Sequence, residues 1–147
     1  MNEPQAIGGN LTGARNFDSA AMMTRNAAAG DIDVLGHVNN AVYLVWAQDV
    51  ATAHWRRIAG PELLQKYLWV VLRHEIDYRD EVREGETVEI RTWLGEADGA
   101  RYERHVDIRK PGAARPAAKV LTVWCLIDAE TRKPRRVGDD IFKPFGV

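Results

Sequence analysis

The 147 residues are 46% apolar and 28% charged, the make-up of one ordinary globular domain. Twenty basic against 21 acidic side chains give a formal charge of -1, which excludes the basic footprint of a nucleic-acid or anionic-membrane binder. The longest unbroken apolar runs, 41–47 and 67–72, fall far short of the ~18 or more residues of a membrane span.

Residues 1–18 hold Gly8, Gly9, Gly13, Asn2, Asn10 and Asn16 with few large apolar groups, which predicts a flexible tail ahead of a single domain over 19–147. A short apolar run over 20–29 predicts a strand. The stretch 39–58 predicts one long helix: Asn39 or Asn40 can cap it, and Gly60-Pro61 stops it. Val42, Val45, Trp46, Val50 and Ala53 recur at spacings of three and four, and Ala41, Leu44, Ala47 and Ala51 fill most of the remaining circumference. A helix so apolar on nearly all sides is expected to be wrapped by other elements. After a further turn of helix over 61–66 the period changes. Four segments rich in Val, Ile, Thr, Trp and Tyr follow, over 68–78, 86–96, 101–109 and 118–128. In the second, Val88, Ile90, Thr92 and Leu94 alternate with Glu89, Arg91 and Trp93. The separators Arg83-Glu84-Gly85, Asp98-Gly99 and Pro111-Gly112 carry turn chemistry, and Asp98-Gly99 reads as a hairpin. A strand, a long buried helix and then four consecutive antiparallel strands describe an α+β domain whose sheet curls round one helix. A doubly wound nucleotide fold would alternate strand and helix, and this chain does not.

The single cysteine, Cys125, excludes an internal disulfide and multi-cysteine zinc sites. With no apolar leader behind Glu3, the expected setting is the reducing cytoplasm.

The densest polar cluster runs from Gly30 to Asn40 and embeds Asp31, Asp33 and His37 among Ile32, Val34, Leu35 and Val38 at the entrance of the helix. One account is capping alone, with an Asn at the N-cap and the carboxylates complementing the helix dipole. A calcium loop begins in the same way but fails where Leu35 and Val42 replace oxygen ligands. A third account is catalytic. A helix N-terminus offers unpaired N–H groups that can hold an oxyanion forming on an acyl carbonyl, each worth ~3–4 kcal/mol in a transition state. A carboxylate just upstream can attack that carbonyl or activate a water that does.

The run Asp31-Ile32-Asp33-Val34-Leu35-Gly36-His37-Val38-Asn39-Asn40-Ala41-Val42-Tyr43 resembles the signature of the hotdog-fold thioesterases, in the 4-hydroxybenzoyl-CoA thioesterase-like branch. Residues 70–78, followed by Gly85-Glu86-Thr87-Val88, are similar to the second and third strands of that branch. The resemblance covers roughly 20–145 and implies a curved antiparallel sheet of about five strands wrapped round one long helix. It also implies hydrolysis of an acyl-CoA to a free carboxylic acid and CoA. Carried over by position, Asp33 matches the catalytic aspartate, as nucleophile or general base, and Asn40 the residue whose backbone N–H polarises the thioester carbonyl. His37 and Asn39 belong to a Gly-His-Val-Asn-Asn variant also found in acyl-ACP thioesterases. Some of those enzymes use an Asn two residues after the Asp, here Leu35, and a later Glu, whose position falls on Glu81. Tyr43 would line the acyl pocket, and Arg79 and Arg101 stand among the basic residues able to meet CoA phosphates. No metal or redox cofactor is implied, coenzyme A being part of the substrate. The resemblance further implies a homodimer joined sheet to sheet, or a dimer of such dimers; an exposed strand edge gives that an independent motive. The alternatives are an acyl-ACP thioesterase and a non-catalytic acyl-binding domain.

Asp49, inside the apolar helix, is either a second acid or half of an ion pair with a basic residue. His54, His74 and His105 have no metal-ligand spacing, and Cys125 reads as a small core residue. Arg73, Arg104, Arg109, Lys110 and Lys119 read as a solvated sheet face able to lend charge to a nucleotide.

Overall fold

A computed structural model describes residues 7–147. In chain order these form strands β1 (Gly8–Gly9) and β2 (Ala21–Asn26), a 3-10 turn at Ala29–Asp31 and helix α1 (Asn40–Lys66). Strands β3 (Tyr67–Tyr78), β4 (Thr87–Asp98), β5 (Arg101–Arg109) and β6 (Ala118–Asp128) follow, then a short helix α2 (Asp139–Phe145). The strands build one sheet in the order β1-β2-β4-β5-β6-β3, every pair antiparallel. The expected β4–β5 hairpin closes at Asp98-Gly99, where Asp98 faces Arg101.

The expected succession of four neighbouring strands holds only from β4 to β6. Strand β3 lies at the far edge, against β6. The link over 79–86 is longer than the two to five residues of a hairpin, so β4 is free to cross and pair with β2. That leaves twelve residues of β3 as an open edge, with Leu68, Val70, Leu72 and Tyr78 each more than a third exposed.

Helix α1 lies on one face of the sheet. Tyr43, Trp46, Ala47, Val50, Ala51, His54 and Trp55 are buried, a three-and-four spacing that makes one stripe. Tyr43, Trp46 and Val50 pack with Ile90, Val106 and Ile108, while Trp55 joins Tyr67, Leu126, Ile141 and Phe145 in a second cluster under α2. The opposite stripe is not wrapped within the chain: Val45 is 54% exposed. The stop at 60–61 appears as a kink, because Gly60 takes φ 73°, which the absent Cβ permits, and Pro61 restarts the helix.

Residues 1–6 of the expected tail lie outside the described residues. Residues 7–18 are integrated into the domain: Gly8 and Gly9 pair with β2, Ala14 is fully buried, and Phe17 meets the guanidinium groups of Arg91 and Arg109. These contacts reach residues far away in sequence, which is why local composition did not announce them.

Candidate active site

The loop ahead of α1 is a small hairpin. Ile32 bridges to Val38, the Asp33 N–H donates to the His37 carbonyl at 3.1 Å, and the Gly36 N–H donates to the Asp33 carbonyl at 3.0 Å. Gly36 sits at φ 87°, where a side chain would be strained. The Asp33 carboxylate, half-buried, accepts the Leu35 N–H at 2.9 Å through Oδ1. That bond fixes the side chain to its own turn. At the tip, Val34 is wholly exposed and Leu35 is 74% exposed.

Two bonds tie this hairpin to the helix entrance and its surroundings. The Asn39 N–H donates to the Asp31 carbonyl at 2.9 Å, and the Val38 N–H donates to the Val82 carbonyl at 2.7 Å. Asn39 is the N-cap, its Oδ1 accepting the Ala41 N–H at 2.9 Å. The carbonyl of Asn39 receives the Val42 N–H. Asn40 is the first helical residue and is exposed, and its backbone N–H has no partner among the described residues. The entrance thus keeps one free donor beside a carboxylate-bearing turn.

Tyr43, one turn into α1, is buried and also bonded to the Val82 backbone, and burial pushes its hydroxyl up to about 12. It packs edge-on against Tyr78, whose hydroxyl donates to the Asn40 carbonyl at 3.0 Å. The segment 78–82 therefore lines the helix entrance, and Glu81 lies in it. Glu81 is occupied by Arg83, which donates from Nε at 3.0 Å and from Nη2 at 2.7 Å. His37 is half-buried, and its ring has no hydrogen-bond partner among the described residues. Arg79 follows Tyr78, exposed and 3.7 Å from Asp77.

Arg101 is the candidate that the fold does not bring to this place. It opens β5, whereas Ile108, opposite Ala118 and hence level with Tyr78, lies seven residues on, roughly 23 Å along the strand. Asp49 forms the ion pair that the sequence offered as one alternative, 3.0 Å from Arg25 across to β2. Among the described residues no cluster of side chains is arranged to hold a metal ion.

A different polar centre lies deeper. Arg104, expected on a solvated face, is only 5% exposed, because its phase along β5 is that of Tyr102, Val106 and Ile108, which face the helix. Its Nη1 donates to His54 Nδ1 at 2.9 Å and to Thr92 Oγ1 at 3.0 Å, and its guanidinium lies 5.5 Å from the Phe145 ring centre. Since Arg104 can only donate, His54 accepts at Nδ1 and carries its proton on Nε2, which donates to the Leu11 carbonyl at 2.6 Å. Burial and the adjacent Arg104 charge pull His54 down to about 4. Burial also lowers Arg104 to about 10. The alternation along β5 was the available signal for Arg104. The Val82 backbone, which docks both the hairpin and Tyr43, left none.

The sequence profile of the thioesterase-like superfamily matches residues 27–145. No curated protein matches the chain in sequence. Among solved structures, a probable thioesterase from Bartonella henselae superposes with TM-score 0.67 at 24% identity, over 81% of this chain and 98% of that one. A 1,4-dihydroxy-2-naphthoyl-CoA thioesterase from Synechocystis superposes with TM-score 0.71 at 14% identity, over 84% and 93%. A Staphylococcus aureus protein solved in complex with CoA gives 0.74 at 16% identity, over 84% and 79%. At these identities the likeness establishes a common fold, the sheet curled about one helix. Among the described residues no helix is long and apolar enough to cross a membrane.

Proposed function

Because the chain belongs to the thioesterase-like superfamily, we propose that it hydrolyses an acyl-CoA thioester to a free carboxylic acid and CoA. The observation that supports this reading is the Asn40 N–H at the entrance of α1, which has no partner among the described residues and follows the Asp33 turn by a few positions. The thioester carbonyl oxygen sits on that N–H, where the charge growing on it is held by a donor and by the helix dipole. Asp33 either takes a proton from a water as that water attacks the carbonyl carbon, or attacks the carbon itself to give an anhydride that water then opens. In both routes the C–S bond breaks and the thiolate leaves with a proton. His37 and Asn39 shape the hairpin and its junction with the helix. Tyr43 and Glu81 flank the acyl end, and Arg79 meets the phosphates of CoA.

The neighbour solved with CoA supports this carrier class. The open edge of β3, the uncovered Val45 stripe and the exposed Val34-Leu35 tip support a homodimer through β3, or a dimer of such dimers.

Thiol release measured over a panel of acyl-CoAs, with matched acyl-ACPs beside them, tests the proposal. Turnover of at least one acyl-CoA is expected. Release from acyl-ACP alone would reassign the carrier, and release from neither would leave an acyl-binding domain.

A further inference from the structure

Between the C-terminal half of α1 and the start of β3 lies a cavity of about 370 Å³. Trp55, Tyr67, Trp69, Tyr102, Trp124 and Phe145 supply its aromatic wall, and Arg104 is part of that wall. It begins at Ala51 and Thr52, so it is about 18 Å along the helix from Asn40 and does not include the Asp33 hairpin.

Three facts about this cavity are unexplained by folding alone. First, the Arg104 guanidinium is buried, yet no carboxylate among the described residues pairs with it. A buried charge without a counter-charge is costly. Of its five N–H groups, the two on Nη1 serve His54 and Thr92, which leaves three on Nε and Nη2. Second, Trp124 Nε1 is buried without a hydrogen-bond partner among the described residues. Third, Arg56 stands exposed at the rim, so a second positive charge marks the way in. Glu103 does not answer these donors from inside, because it sits opposite Val123 on the other face of the sheet.

We propose that this cavity binds an apolar or aromatic carboxylate, the carboxylate on Arg104 and the body of the molecule against the tryptophan and tyrosine rings. A planar guanidinium with unspent donors suits a planar carboxylate, and a single buried cation balances a single charge. A phosphate would bring more charge and more acceptors than these walls answer.

The same chemistry has two sources: the distal carboxylate of an acyl group, or a free acid. The first rests on the function proposed above, and geometry favours it. A two-fold axis that pairs β3 with its own copy runs the strands antiparallel. Residues near Tyr67 of one copy then lie beside the Tyr78 end of the other, where Tyr78 touches Asn40. Each cavity would be served by the catalytic hairpin of the second copy, and Arg104 would select acyl groups that end in a carboxylate.

Binding of phenylacetate and octanoate to the full-length protein, each against its neutral primary amide, is read by tryptophan fluorescence. The acids should bind at least ~10-fold more tightly than the amides, as expected for a charge-assisted hydrogen bond. Arg104→Met should erase that difference and Arg104→Lys should keep part of it. Equal binding of acid and amide, binding of neither, or a preference that survives in folded Arg104→Met overturns the proposal. The comparison in the unmutated protein decides even if the Met variant does not fold. An ω-carboxyacyl-CoA is then compared with a neutral acyl-CoA of equal length. A kcat/KM at least ~10-fold higher for the first supports the acyl source. Equal values together with selective acid binding support the site with a free acid as its ligand. Acid selectivity without turnover of any thioester would refute the hydrolase reading and leave this site standing.

Discussion

The Asp33 hairpin and the Arg104 centre both hold polar groups among apolar neighbours, and they satisfy them in opposite ways. In the hairpin, apart from the bond of Val38 to Val82, the bonds reach at most eight residues along the chain: Asp33 to Leu35 and His37, Asn39 to Ala41 and Asp31. In the core they reach across the molecule: Arg104 to His54 on the helix, and His54 to Leu11. The local set leaves a carboxylate and an N–H open to the outside. The long-range set draws one cation into the core and leaves three of its donors without a partner among the described residues. Substitution in the first region should therefore cost rate, and in the second, stability.

The sharpest way to break that contrast is Asp33→Asn. The amide Oδ1 can still accept the Leu35 N–H, so the urea midpoint should stay where it is, while kcat for thiol release falls by ~10²–10⁴. A variant that loses stability but keeps its turnover would make Asp33 a purely structural residue. The next largest effect belongs to His54. Its folded-state proton affinity is depressed to about 4, so the unfolded chain takes up a proton from about pH 6.5 downward while the native state does not. The stability held above pH 6.5 is lost as the pH falls toward 4, by roughly 3 kcal/mol in total. Urea melts across that range should show the loss, with His74 and His105, also lowered by burial, adding to it. In His54→Gln, whose amide can accept from Arg104 and donate to Leu11, the His54 share of the slope should vanish. An unchanged slope would mean that His54 is not neutral in the folded protein.

The same contrast explains what could be read from the sequence. The helix, the strands and the hairpin were legible because each rests on neighbours a few positions away: the stripe from Tyr43 to Trp55, the alternation from Val88 to Leu94, the Asp98-Gly99 turn. The Asp33 motif was legible for the same reason. The edge position of β3 was not, since the link over 79–86 pairs with nothing that local chemistry announces. Nor was the packing of residues 7–18, which depends on β2, Arg91 and Arg109. Arg104 was half legible. Its inward phase is written in Tyr102, Val106 and Ile108, but an arginine at a core phase is normally taken for a surface residue until its partners are known.

The edge proposed for dimerisation is β3, at the open end of the sheet. Val70→Lys on β3 puts a charge on the strand that would pair with its copy. Sedimentation should show a monomer with native secondary structure, and turnover should fall along with the dimer if each cavity is served by the other copy. A dimer that persists would move the interface off β3.

The smallest effect expected is at the junction of hairpin and helix. Asn39→Ala removes the cap on Ala41 and should cost about 1 kcal/mol of stability. Asn39→Asp keeps an acceptor for the same N–H and adds a charge that the helix dipole favours, so its stability should equal or exceed that of the natural chain by a few tenths of a kcal/mol. The two variants should part company in activity. The Asp variant sets a second negative charge beside the Asn40 N–H, the place proposed for the oxyanion, and its kcat should fall although its melt does not. The Ala variant leaves the field at that place unchanged, so once a folded helix entrance is secured its kcat should stay near the natural value. If both variants lost rate only in proportion to stability, the Asn40 N–H would be a helix end and nothing more.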